Sequence, residues 1–507
     1  MAMAKAATRF NLDERKADTM NKPPLRVAWL AGISMVVALA GCGDNETSGP
    51  AEATGGTGGE RVDGSSGSGG DSGADAGGSG GVAGSQTGGA GGTAGNAGEG
   101  ASGSSGSGGS AGNAGASGGG GVAGSAGATP ELKYPPDTTL SVVPIPDQTR
   151  PGYLESYDDP TFGTKVTRIT DSAIFGDSDN ITRHNYAKTQ VWNSDESLMM
   201  IRDGRKLLDG TTYEIKGEYS ASGEVRWANT DPLAMYVANY NGSKLQKITV
   251  VPGTPYTATT SELKDFSAEC EAVNLGPWEG NISDDDEYAA LACKSGSQMI
   301  VIVWNLQTNV EVSRRTLSVG WDTVDWVSIS PSGEYVVAVI NGVGTKVWNR
   351  DLTGEALLTD STGHADMGYD IQGREVIVKW TWEPHPVHQT INSFPLDGST
   401  PTRQFEDEIY KDLNGDHVSM RANARPGWVY VSAHDGTSGG VQSEVFAVKL
   451  DGSEVVNRFV HHHASMTEYD RSAFGCPSRT GTRVIFASDF GDPSGEVNSY
   501  VAEFPQD

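Results

Sequence analysis

The chain has 507 residues and a formal net charge of −28, with an isoelectric point near 4.6. Such an acidic balance offers no overall basic face for phosphate contacts, which argues against nucleic acid as a partner and fits plain acidic solubilisation. Four cysteines are few for a chain of this length.

From the N-terminus, Lys22 and Arg26 precede an apolar run, Val27 to Leu39, and Leu39-Ala40-Gly41-Cys42 follows it. The run is too short for a membrane span and has the length of a signal-peptide core. A start at Met20 gives a signal of ordinary length. Charge, apolar run, small residues and cysteine in this order resemble the lipobox of bacterial lipoproteins. That resemblance implies lipidation of Cys42, membrane anchoring without a transmembrane helix, and an address in the cell envelope. Gly43 stands where the inner-membrane retention signal has Asp, which favours the outer membrane. Residues 43–130 are almost wholly Gly, Ser, Ala, Thr and Asn, and hold about half of the chain's 68 glycines. Such a stretch cannot bury enough apolar surface to offset its ordering entropy and reads as a disordered tether. Its r.m.s. span, roughly 50 Å, holds a domain away from the bilayer, toward the cell surface.

The remaining residues, 131–507, read as one all-β domain, a monomer. From about residue 190, a polar turn followed by an apolar strand recurs seven times. The copies lie at Trp192–Met200, Trp227–Val237 and Trp278–Cys293 (around Asp285-Asp286-Glu287-Tyr288), then at Ile329–Val337, Tyr369–Ile377, Ala424–Tyr430 and Pro477–Ile485. A period of roughly 35 to 55 residues is that of a propeller blade. The segment before each turn is expected to be an innermost strand, and the segment after it, such as Tyr335 to Val339, the second. Outer strands follow, with Asp397-Gly398 and Asp451-Gly452 at tight hairpins. Cys270 and Cys293 flank one blade, either as a disulfide or as free thiols; Cys476 has no catalytic partner in sequence. The repeats resemble WD40-like, TolB-type propellers, whose family turn is Ser-Pro-Asp-Gly; Ser330-Pro331-Ser332-Gly333 is the nearest copy. The resemblance implies seven four-stranded blades, with Lys165–Thr170 completing the blade that ends at Ser499–Phe504.

Inner strands of a propeller line its axial channel, so residues ahead of the turns gather from different blades. His184, His364, His417 and the run His461-His462-His463 stand there, beside Arg183, Tyr186, Lys188, Asp366, Arg421, Arg425, Tyr469 and Arg471. Imidazoles with a carboxylate suit a divalent ion such as Zn or Mn, and imidazole with phenol suits proton transfer. A satisfied polar lining explains the same residues. The domain also looks distantly like the oligogalacturonate and ulvan lyase propellers. That resemblance implies β-elimination on a uronate polymer. On this chain His364, His417 and His463 would hold an ion (Mn, Zn or Ca), His184 or Tyr469 would move the proton, and Arg421 or Arg425 would meet the carboxylate. Asp284-Asp285-Asp286 reads as a solvated turn. Trp380 and Trp382, with His385 and His388, offer a sugar shelf or the buried aromatics of an outer strand. His-Glu-x-x-His and Walker motifs are absent, and Gly-x-Ser-x-Gly occurs only in the low-complexity tract.

Three functions fit. The first is a lipid-anchored propeller whose His-lined axial site binds an extracellular glycan or peptide. The second is a metal-dependent polysaccharide lyase using that site. The third is a TolB-like envelope scaffold.

Overall fold

The structure, a computed structural model, describes residues 143–504 apart from 202–204, 222, 239–241, 277–278, 382–389, 405–414 and 434–442. Cys42, the tether, Trp382, His385 and His388 lie outside the described residues. All described residues belong to the unit Ala114–Asp507. Among them no helix is long and apolar enough to cross a membrane.

The expected architecture is observed: seven sheets, antiparallel but for one short parallel pairing in the closing blade, each the blade of a propeller. Blade 4 shows the pattern, with strands Val324–Ile329, Tyr335–Ile340, Gly344–Asn349 and Ala356–Thr359 in order from the axis outward. In the second strand Val336 to Ile340 are all buried. A blade is sandwiched between two others, so alternation divides the side chains between two cores. Val336, Ala338 and Ile340 join the core shared with blade 3. Val337 and Val339 join the one shared with blade 5. In blade 5, Val376 and Val378 likewise face one neighbour while Ile377 faces the other.

Four of the seven polar turns use one device. A side-chain oxygen at the start of the turn accepts the amide that begins the second strand: Asn193 Oδ1 from Leu198 at 3.0 Å, Ser283 Oγ from Tyr288 at 2.8 Å and Ser330 Oγ from Tyr335 at 3.1 Å. Asp370 Oδ1 does the same for Arg374 at 2.9 Å. A short acceptor is therefore what the degenerate copies keep. Carboxylates then tie one blade's turn to the next. Glu375 accepts from the Ser332 amide and hydroxyl, and Glu196 from the Thr480 amide. Asp286 is buried and accepts the Asn229 and Thr230 amides at 2.7 and 2.8 Å. Of the acidic run only Asp285 is fully solvated: Asp286 staples blades 2 and 3, and half-buried Asp284 accepts a hydrogen bond from Asn423.

Closure follows the predicted strand exchange. Lys165–Arg168 pairs with the C-terminal strand, Lys165 opposite Glu503 through Arg168 opposite Tyr500, and a further strand, Ser156–Asp158, lies outside it. From this outer edge the chain crosses to the axis. Ile181–Thr182 pairs in parallel with Val497–Asn498, and the residues after it enter the channel toward blade 1.

Cys270 and Cys293 form a disulfide, with Cα atoms 5.4 Å apart, inside the core between blades 2 and 3. Its loss is expected to lower stability by about 2–4 kcal/mol, read as a lower denaturant midpoint under reducing conditions. Asp286→Ala leaves two amides unanswered and is expected to cost about 1–3 kcal/mol, seen as a lower urea midpoint at unchanged slope.

Candidate functional site

The site lies at the end of the channel where the inner strands begin, here called the upper mouth. His364 directly precedes inner strand Ala365–Tyr369, and His417 lies in inner strand Gly415–Ser419 of the next blade. Their rings stack at 4.1 Å with planes 19° apart. Tyr186, on the crossing segment, stands edge-on to His417 at 5.0 Å, and Phe474 lies against His417 at 4.5 Å. Tyr469 completes the wall, 5.8 Å from His417, and is 48% exposed, whereas Tyr186, His417 and Phe474 are buried and His364 is partly exposed. Its segment is fixed by Arg183, a buried guanidinium that bonds Asp470 at 2.8 Å and covers the Phe474 ring at 4.3 Å. The result is an aromatic cup with imidazole at its floor and one phenol at its rim.

Charges adjoin the cup. Lys188, buried beneath the mouth, pairs with Glu279 and sits over the Trp326 ring at 4.0 Å. Asp325, beside Trp326, is open to solvent, yet partial desolvation in the mouth, with Glu279 nearby, pushes its carboxyl up to about 6. Lys379 is fully buried and donates to Thr345 Oγ1 and the Ser361 carbonyl at 2.6 and 2.7 Å.

The structure brings together His364, His417 and Tyr469 of the expected site residues, and separates the others. His184 has both ring nitrogens engaged, Nε2 with the Phe474 carbonyl at 2.7 Å and Nδ1 with Ser499 Oγ at 3.1 Å. A carbonyl only accepts, so Nε2 carries the proton and Nδ1 takes the serine's. Burial holds this ring neutral, with its pKa lowered to about 3; it pins the crossing segment and has no nitrogen left for substrate. Arg421 is spent on Asp366, at 3.0 and 3.1 Å, and on the Met367 carbonyl. Arg425 bonds Tyr430 and Asn457 and lies 3.9 Å over Trp428. Both arginines line a small cleft at the opposite, lower mouth with Asp284. Burial pushes the Asp284 carboxyl up to about 6, against the pull of Arg421 and Arg479.

The histidine run ends the outer strand Val456–His461 and so lies off the axis. His462 bonds the Ala433 carbonyl and the Ala464 amide. His463 stacks on Phe490 and has no ring contact with His364 or His417, so it is not a partner of that pair. Trp380 is buried in a blade core as expected, but in the second strand, Glu375–Thr381, and not in an outer one. Sequence reasoning missed Phe474, Trp326, Glu279 and Asp325. The apolar pair carries no chemical signal, and Glu279 follows an inner strand, Ala272–Asn274, that stops short of its turn.

Among the described residues the metal implied by the lyase resemblance finds no ligand set. Imidazole lone pairs lie in the ring plane, and two stacked planes 19° apart do not meet within bonding distance of both rings. Among the described residues no group of three His, Cys, Asp or Glu side chains is placed to hold an ion.

No family model matches the chain, and no curated protein is similar to it in sequence. Solved structures are similar in fold. An oligogalacturonate lyase in complex with manganese superposes with a TM-score of 0.51 at 14% identity, covering 69% of this chain and 96% of the lyase. An oligogalacturonate lyase from Vibrio parahaemolyticus gives a TM-score of 0.51 at 13% identity over the same shares. TolB from Acinetobacter baumannii gives 0.34 at 11%, covering 59% of this chain and 75% of TolB. At these identities the likeness establishes the propeller fold.

His184 and His463, lowered to about 3 and about 4 by burial, set one pH dependence. The unfolded chain takes up protons on both below about pH 6.5, where the folded chain does not. Stability is therefore expected to fall as pH drops from about 6.5 toward 4, measured by urea midpoints. His463→Gln should flatten that slope.

Proposed function

We propose that the chain is a lipid-anchored propeller that binds an extracellular glycan at its upper mouth. The observation that carries this reading is the stacked His364–His417 pair under the half-exposed Tyr469 ring, walled by Tyr186 and Phe474. Aromatic faces take the C–H surface of a sugar ring, and imidazole nitrogens both donate to and accept from hydroxyls. Glu279 and Asp325 stand near Lys188 and Lys379 beside the cup, and the chain is acidic as a whole, so no net positive field selects for a polyanion. The lipid on Cys42 and the Gly/Ser/Ala-rich tether, at the outer membrane, would present this mouth away from the bilayer.

A second reading rests on the fold likeness to oligogalacturonate lyase. In it a uronate polymer occupies the same cup, an imidazole of the pair takes the carbon-bound proton, and Tyr469 protonates the departing oxygen. No metal-borne step is assigned, because the described residues form no ligand set.

One experiment separates the two. The full chain is titrated calorimetrically with neutral and uronic-acid oligosaccharides, and ultraviolet absorbance is followed for unsaturated product. Saturable binding without product supports the glycan-binding reading. The His364→Ala/His417→Ala double variant, measured well below its own thermal midpoint, and Tyr469→Ala, at unchanged thermal midpoint, should each weaken binding at least about tenfold, ~1.4 kcal/mol. Product formation replaces that reading with the lyase. Binding unchanged in both variants overturns the site itself.

A further inference from the structure

We infer that Asp325 selects neutral sugars at the upper mouth, accepting their hydroxyls and turning uronates away. This deepens the glycan-binding reading above and rests on it.

The packing of one strand places the residue. Val327 and Ile329 face the core shared with blade 3, and strict alternation along the inner strand Val324–Ile329 would send Asp325 into the same apolar core. A bulge prevents this: Val324 lies opposite Ile340 and Trp326 opposite Val339, so Asp325 is the extra residue between them. Val324 takes the place toward blade 3 and Trp326 packs toward blade 5. The carboxylate is left exposed at the head of the strand, where the mouth opens.

Its neighbours join it to the cup. Lys188 Nζ, held by Glu279, lies 4.0 Å from the centre of the Trp326 ring and 5.9 Å from that of Tyr186, a wall of the cup. Lys379 lies opposite Ala365, the residue after His364, and donates to Thr345 Oγ1 and the Ser361 carbonyl. Both lysines are buried and turned onto protein acceptors. Asp325 itself makes no hydrogen bond or ion pair with the described residues. What this wall offers a ligand is therefore a carboxylate, ionised above about pH 6.

An ionised carboxylate only accepts, and its two oxygens suit a pair of adjacent sugar hydroxyls. A uronate in the same place brings a second acceptor with no proton between the two, beside lysines already committed to other partners. Like charges brought together across a contact cost affinity, so the residue that reads the hydroxyls also sets the discrimination.

The test is calorimetric titration of the full chain at about pH 7.5 with neutral tetrasaccharides from cellulose, mannan and galactan, each paired with its C6-oxidised uronate. Wild type is expected to bind a neutral sugar at least about tenfold tighter than its oxidised partner, with the gap narrowing as salt rises from about 0.05 M to about 0.5 M. Asp325→Asn keeps the shape and removes the charge; it should weaken the neutral sugar at least about fivefold and bring the pair within about threefold of each other. Asp322, an exposed carboxylate on the turn just before the strand, is the control, and Asp322→Asn should leave both affinities unchanged. Equal binding of the pair by wild type, an unchanged gap in Asp325→Asn, or an equally relaxed gap in Asp322→Asn overturns the role of Asp325 and leaves the glycan reading standing. Binding of no sugar overturns both.

Discussion

Two-sided burial of the middle strands is the constraint on which the rest of the structure depends. Because Val336 and Val337, one residue apart, belong to different cores, no blade completes its packing alone. Each interface needs the next blade, and the chain of interfaces ends only when the last blade meets the first. The closing strand must therefore be held well, and it comes from the far end of the sequence. Its ladder is short, Lys165 to Arg168. The Phe162–His461 stack and the Asp159 carboxylate, which accepts the His461 amide of blade 6, add hold where the ladder cannot.

Closure and site share one segment. After sealing the ring the chain crosses to the axis, where His184 is pinned to Phe474 and Ser499. The same few residues then deliver Tyr186 to His417 and Lys188 to Trp326. Arg183, in the middle of this crossing, fixes the loop that carries Tyr469. The shape of the cup thus depends on how firmly the ring is shut, which links the two ends of the chain to the geometry of the mouth.

Much of the fold was legible because its signals are local. Turn acceptors such as Ser330 and Asp370 cap amides a few residues on, and the closing strand shows its pattern in Lys165–Thr170. The site was legible only in part. His364 and His417 were found because their place ahead of a turn fixes their place at the axis. The same rule failed for His461–His463: distance from the next turn does not distinguish the end of an outer strand from the start of an inner one. Arg421 and Arg425 were misplaced because which mouth a residue faces depends on strand direction, and their partners, Asp366 and Asn457, are 55 and 32 residues away. Asp286 looked like a solvated acid because its partners belong to another blade.

The most direct test of the account is a crystal structure of the protein with the oligosaccharide that binds it best. The account predicts a sugar ring seated against Tyr469, within hydrogen-bonding reach of the His364–His417 pair. A sugar bound instead at the lower mouth beside Asp284, or along an outer strand with the upper mouth empty, would contradict it.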